Sequence, residues 1–140
     1  MFFIFLYDLI LLDVICVNIN KINAGVLAYL GDSVYEYKVR EYLVRKGLGD
    51  SNKMQKEALK YVSAVRQAEY LEKILEKNLL TEAELYTVGR ARNYKTNSKP
   101  KYTDIKTYKK ATSLEALFGM LYLNQDYDRI DEIMKEILEW

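Results

Sequence analysis

The chain has 140 residues, half of them hydrophobic, with 21 basic and 20 acidic side chains, 6 glycines and a single proline. That is room for one domain with a sizeable core, and so few breakers among abundant Leu, Ile, Lys and Glu favour helices over a turn-rich β-fold. No histidine occurs and Cys16 is the sole cysteine, which excludes His-based triads, His general bases, His metal ligands, an internal disulfide and a Cys-rich zinc site. Chemistry is left to carboxylates, Lys, Tyr, Ser, or a hard metal held by oxygen.

Residues 1–20 form an apolar N-terminal extension, and residues 21–140 read as the domain proper. The extension has no basic residue ahead of its apolar run and no small-residue cleavage site, as a secretory signal would require. Asp8 and Asp13 oppose membrane insertion, at about 2.5–3.5 kcal/mol for each carboxylate near the bilayer centre. A short element packed on the outside of the domain accounts for it better.

From Asn23 the pattern is helical. A first helix is predicted from Ala24 to Lys46, with Asn23 as N-cap, Gly47 as stop and Val26, Leu30 and Val34 at i, i+4 spacing. A second begins after Asp50-Ser51 and ends near Ser63, and a third carries Ala68, Leu71, Ile74 and Leu75 to Lys77. Thr81-Glu82-Ala83-Glu84 is a capping box that opens a fourth helix reaching Asn93. Tyr94 to Lys110, with the only proline, Asn97, Ser98 and Thr103, reads as a long loop. A fifth helix is expected from Ser113 to Leu123. A sixth runs from Tyr127 to Trp140, with Ile130, Ile133, Met134, Ile137 and Leu138 on one face. The expectation is an all-α helical bundle.

The net charge of +1 hides a local excess. Arg90, Arg92, Lys95, Lys99, Lys101, Lys106, Lys109 and Lys110 are opposed in that stretch by Asp104 alone, a local charge of +7. A concentrated basic stretch on a near-neutral protein points to an anionic partner, although a solvated loop would look similar.

Two segments carry candidate chemistry. In Leu27-Ala28-Tyr29-Leu30-Gly31-Asp32-Ser33-Val34-Tyr35-Glu36, Asp32 and Glu36 lie one helical turn apart, where like charges repel unless a cation or a basic partner intervenes. Arg40, a further turn on, can pair with Glu36 and make that arrangement structural. In Ala111-Thr112-Ser113-Leu114-Glu115-Ala116-Leu117-Phe118-Gly119, Glu115 stands among apolar residues with Gly119 one turn later, where another backbone can approach. Thr112-x-x-Glu115 also reads as a capping box.

Together these segments resemble the signature of the ribonuclease III family. Leu30-Gly31-Asp32-Ser33-Val34 is similar to that family's Leu-Gly-Asp-Ala-Val, and Glu115-Ala116-Leu117-Phe118-Gly119 to its Glu-Ala-Leu-Ile-Gly. The resemblance is to the Mini-ribonuclease III branch, a catalytic domain without a double-stranded-RNA-binding domain. It extends from Asn23 to the neighbourhood of Ile137 and includes Tyr61-Val62-Ser63-Ala64 and Gly89-Arg90-Ala91-Arg92-Asn93. The larger enzymes carry a Glu where this chain has Ala28 and an Asp where it has Thr112, which bears on the number of metal ions held. The Gly89–Asn93 segment also departs slightly from the branch's Gly-Arg-Asn spacing.

The resemblance implies a helical bundle of the ribonuclease III catalytic-domain type. It implies Mg²⁺-dependent cleavage of double-stranded RNA by a cytoplasmic homodimer, leaving 5′-phosphate and 3′-hydroxyl ends, in the maturation of large-subunit (23S) ribosomal RNA precursor. Asp32 and Glu115 suffice as protein ligands for Mg²⁺, with Mn²⁺ as a substitute, because this hard ion keeps several waters and accepts phosphate oxygens. The ion activates water and stabilises the leaving oxygen. Arg90, Arg92, Asn93, Lys95, Lys99 and Lys101 are the candidate RNA contacts, suited to an A-form duplex read through phosphates and 2′-hydroxyls. A helper ribosomal protein is compatible with this picture. Two rivals stay open: a non-catalytic RNA-binding module of the same fold, and a helical nucleotide pyrophosphohydrolase, which would need clustered acidic ligands facing the bundle interior.

Overall fold

The computed structural model describes residues 18–96 and 101–138. Most of the apolar N-terminal extension, Lys99, and the predicted last turn through Trp140 lie outside the described residues. After a 3-10 turn at Ile19–Lys21 come α1 (Ala24–Arg45), α2 (Ser51–Val62), α3 (Ala64–Glu76), α4 (Glu82–Asn93), α5 (Ile105–Leu123) and α6 (Tyr127–Leu138). No strand occurs among the described residues, so the fold is all-α.

The helix starts are set by side chains that satisfy otherwise orphaned N–H groups. The Asn23 carboxamide oxygen accepts from the Gly25 N–H at 2.7 Å, and Asp50 accepts from Asn52 at 2.8 Å. Ser63, extended at ψ 147°, ends α2 and caps α3. Thr81 and Glu84 form the predicted reciprocal capping box. Gly47, at φ +72°, carries the chain away from the end of α1 in the left-handed region where a side chain is disfavoured.

The region before α5 corrects the sequence expectation. The stretch from Tyr94 does not remain a loop to Lys110, and α5 starts at Ile105 rather than at Ser113. Asp104 is the N-cap, accepting from the Thr107 N–H at 3.0 Å and the Thr107 hydroxyl at 2.6 Å. Thr112 is therefore no cap. Its hydroxyl donates back to the Tyr108 carbonyl at 3.0 Å, and that of Ser113 to Lys109 at 2.7 Å. Hydroxyls bonded to i−4 carbonyls let a helix run through residues that look like a boundary. Lys106, Lys109 and Lys110 consequently stand on helix, not loop.

The two longest helices, α1 and α5, form the most extensive helix pair. Around them α3 and α4 cover α5, α2 leans on α1, and α6 closes the bundle. Tyr35, Phe118, Leu27, Leu114, Leu117 and Met134 are fully buried at the centre, each contributing about 1.5–3 kcal/mol by leaving water. The Tyr35 ring meets Phe118 edge-on at 5.4 Å, and its hydroxyl donates to the Tyr61 carbonyl at 2.8 Å. Glu84 is buried yet satisfied. Arg129 grips both its oxygens at 2.8 and 3.0 Å and donates to the Leu79 carbonyl at 2.6 Å, tying α6 to the start of α4. Burial pushes the Glu84 carboxyl up, but the Arg129 and Thr81 bonds together hold it below its ordinary value.

The α1–α5 pair is in backbone contact. A Cβ at Gly31 would fall 1.6 Å from the Glu115 carbonyl oxygen, and one at Gly119 would fall 2.0 Å from the Leu27 carbonyl oxygen. Each helix thus gives the other its glycine. Gly89, in α4, has nothing within 4 Å of the corresponding position. Alanine at Gly31 or Gly119 is expected to destabilise the fold by at least about 1–3 kcal/mol through overpacking. Gly89→Ala should stabilise it by about 0.5–1 kcal/mol through helix propensity alone. Urea unfolding of the three variants checks the sign at each position.

Candidate active site

The reciprocal glycine contact decides where the acids stand. Asp32 follows Gly31 on α1, and the Glu115 backbone is the surface on which Gly31 rests. Both side chains line one cleft of about 370 Å³, together with Gly25, Val26, Ala28, Tyr29, Ala91, Tyr94, Thr96, Tyr108, Lys109 and Thr112. Asp32 is at the solvent edge, whereas Glu115 is only partly exposed.

Burial drives the Glu115 carboxyl up to about 8, and the nearby Asp32 charge adds to the rise while Gln67 opposes it. Burial and the neighbouring Glu36 raise Asp32 in the same direction. Neither acid has an ion-pair partner among the described residues, while Glu36 pairs with Arg40 on its own helix. Two carboxylates held together without a cation are destabilised as a pair. They form a site that a hard divalent cation would relieve, with two protein oxygens and open cleft space for water and phosphate. Among the described residues, no cluster of three or more potential metal ligands is present. The donor set therefore fits an ion that takes much of its shell from water and substrate.

A scan against protein-family models matches the Ribonuclease III domain over residues 25–126. The chain belongs to the ribonuclease III family. Mini-ribonuclease 3 of Staphylococcus aureus is 38% identical over 121 residues, covering 86% of this chain and 90% of that protein. Mini-ribonuclease 3 of Brevibacillus brevis is 44% identical over 117 residues, covering 84% and 86%. An X-ray crystal structure of a Fusobacterium nucleatum protein superposes with a TM-score of 0.76 at 29% identity, covering 84% of this chain and 94% of that one.

Within the ribonuclease III fold, the two departures noted in the sequence fall in the same cleft. Ala28 and Thr112, which stand where larger members carry acids, line it beside Asp32 and Glu115. Thr112 has its hydroxyl committed to Tyr108. The carboxylates of this ribonuclease III cleft are thus reduced to a pair.

The predicted RNA contacts divide. Arg92, Asn93, Lys95 and Lys101 are exposed, and the segment carrying Lys95 borders the cleft, because Tyr94 and Thr96 line it. Arg90 differs: its guanidinium donates to the Ile22 carbonyl and lies over the Tyr86 ring at 5.8 Å. It and Asn93 line a separate hollow of about 660 Å³ bounded by Asn23, Leu85, Tyr86 and Tyr94. The acidic pairs a pyrophosphohydrolase would need are engaged elsewhere. Glu69 pairs with Arg66 at 2.8 Å, Glu72 with Lys110, and Glu136 with Lys77 at 2.8 Å.

Sequence reasoning missed Gln67, which is 2% exposed and faces Glu115. The available signal was an amide within the Gln67, Ala68, Leu71, Ile74 buried stripe of α3. It also missed Tyr29, Tyr94 and Tyr108 as walls of the cleft, since a Tyr at helical spacing has no chemical mark of its own.

The raised Glu115 pKa has a stability consequence. Between its ordinary value of 4.5 and about 8, the folded chain keeps a proton that the unfolded chain has released. Metal-free stability therefore falls as pH rises through that window. Glu115→Gln should remove most of this slope and melt at a higher temperature than the native protein above pH 8. Thermal unfolding in chelator across that range is the measurement.

Proposed function

We propose that the chain is a Mg²⁺-dependent endoribonuclease that cuts double-stranded RNA as a homodimer. Membership of the ribonuclease III family makes it an endoribonuclease. The single observation that carries the chemistry is the convergence of Asp32 and Glu115, from helices far apart in sequence, in one open cleft where neither has an ion-pair partner among the described residues. Asp32 and Glu115 would hold the ion, which supplies activation of water and neutralisation of the departing 3′ oxygen. Absence of histidine leaves no imidazole to share that role. Tyr29 at the lip, 83% exposed, and the segment at Tyr94 and Thr96 bound the opening through which a phosphodiester backbone reaches the acids.

Arg92, Asn93, Lys95, Lys99 and Lys101 serve as phosphate and sugar contacts. Arg90 is set apart from them, because one guanidinium nitrogen is tied to the Ile22 carbonyl and Nη1 is buried with no hydrogen-bond partner among the described residues. A-form RNA offers little base edge to such residues, so recognition is by backbone and shape. One site cuts one strand, and a two-fold dimer presents a second. An exposed stripe along α1, formed by Val26, Tyr29, Tyr37 and Val44, supports that assembly. The substrate we assign is the 23S ribosomal RNA precursor, in the cytoplasm, with room for a helper ribosomal protein. No helix among the described residues is long and apolar enough to cross a membrane. We assign the catalytic domain to residues 21–140, with residues 1–20 as an extension to it.

The test is incubation of the purified protein with duplex RNA and Mg²⁺ followed by mapping of the ends, which should carry 5′-phosphate and 3′-hydroxyl. Asp32→Asn and Glu115→Gln should abolish cleavage while keeping fold and duplex binding, and Glu36→Gln should be milder because Glu36 pairs with Arg40. Native rates in either of the first two variants would refute the assignment. Duplex binding without cleavage by the native protein would leave an RNA-binding module.

The cationic residues make a separate prediction. Arg92→Ala with Lys95→Ala should weaken duplex binding and flatten its salt dependence without changing thermal stability, at roughly 0.9 in the log–log slope per phosphate contact by analogy with B-DNA. Arg90→Ala should instead lower stability, because it frees the 3-10 turn from α4. Salt titrations of binding and melting curves separate the two roles.

A further inference from the structure

α3 packs antiparallel on α5, in a register that pairs Glu72 with Lys110 and brings Gln67 opposite Glu115. Gln67 is 2% exposed, and its amide nitrogen is buried with no hydrogen-bond partner among the described residues. A buried donor left in that state costs about 1–3 kcal/mol, and a methionine of the same length would cost nothing comparable. The acceptor it faces is the Glu115 carboxyl. The amide and the carboxyl approach each other across the α3–α5 contact without closing a bond of ordinary geometry. Its neighbours in the chain, Leu114, Ala116 and Leu117, are all fully buried, and Glu115 has no ion-pair partner among the described residues.

We infer that Gln67 is a positioning residue for Glu115, its amide N–H holding one carboxylate oxygen from the bundle interior so that the other stays directed into the cleft. The inference rests on the nuclease reading above and deepens it. Gln67 touches neither ion nor RNA, since it lies behind Glu115 and does not line the cleft. A carboxylate with several rotatable bonds gains from such a brace, because an outer-shell donor restricts the orientations from which a ligand must be recruited. Loss of such partners commonly costs 10–100-fold in metal affinity or activity.

Gln67→Met, which keeps length and removes the donor, should weaken Mn²⁺ binding by at least about tenfold. That is read by electron paramagnetic resonance on the RNA-free protein. With duplex RNA its kcat should fall by a similar factor at fixed Mg²⁺ while KM stays unchanged. Its melting temperature in chelator should be equal to or above the native value, an outcome opposite to that of a merely structural glutamine. Gln67→Asn, retaining a shortened amide, should fall between Met and native in Mn²⁺ affinity, and it carries the comparison if the Met variant does not fold. Native Mn²⁺ affinity and kcat in a folded Met or Asn variant would overturn the inference while leaving the nuclease reading intact. A native protein that neither binds Mn²⁺ nor cuts duplex RNA would overturn both.

Discussion

The backbone contact between α1 and α5 at Gly31 and Gly119 is the constraint on which the rest of the structure depends. It brings two long helices together with nothing between their main chains, and the acids are carried by the residues at and beside that crossing. A side chain at either glycine would force the two helices apart and alter the spacing of Asp32 and Glu115. Gly in a helix interior costs about 1 kcal/mol relative to Ala, and here that cost is offset by close packing that also builds the site. Tyr35 and Phe118, packed ring edge to face in the core, hold the same two helices a turn farther along.

The site stores electrostatic tension that the surroundings only partly relieve. Burial disfavours ionised Glu115, and the neighbouring Asp32 makes it worse. Elsewhere the molecule does the opposite. Buried Glu84 is clamped by Arg129 and held ionised, and Lys38 bridges Glu41 at 3.3 Å and Asp131 at 2.7 Å. Unlike these acids, Asp32 and Glu115 have no ion-pair partner among the described residues. Unpaired carboxylates on a rigid crossing are what a divalent cation and a phosphodiester can use, because the cost of assembling them is met by folding rather than by binding.

The basic residues show a different division. Lys95 to Lys110 read as one loop in the sequence, but Asp104 starts the helix eight residues earlier than Thr112-Ser113 suggests, so Lys106, Lys109 and Lys110 stand on α5. Both hydroxyls bond backward into the helix and cease to be boundary signals. Arg90, counted among phosphate contacts by its charge, holds the chain entry to α1 through the Ile22 carbonyl. Charge patterning reports that cations are concentrated, not which of them the fold employs.

Local chemistry in the sequence was sufficient for much of the architecture. Asn23, Asp50 and the Thr81–Glu84 box mark helix starts because capping is decided within four residues, and the apolar stripe of α6 follows from helical period alone. The Gly-Asp and Glu-Ala-Leu-Phe-Gly segments likewise carried the family and the two acids. What only the tertiary structure decided depends on contacts between distant residues: the reciprocal seating of Gly31 and Gly119, the burial that raises Glu115, the diversion of Arg90, and the placement of Gln67 behind the carboxylate. A glutamine has no signature in sequence that separates a surface amide from a brace, because its role is set by the helix packed against it.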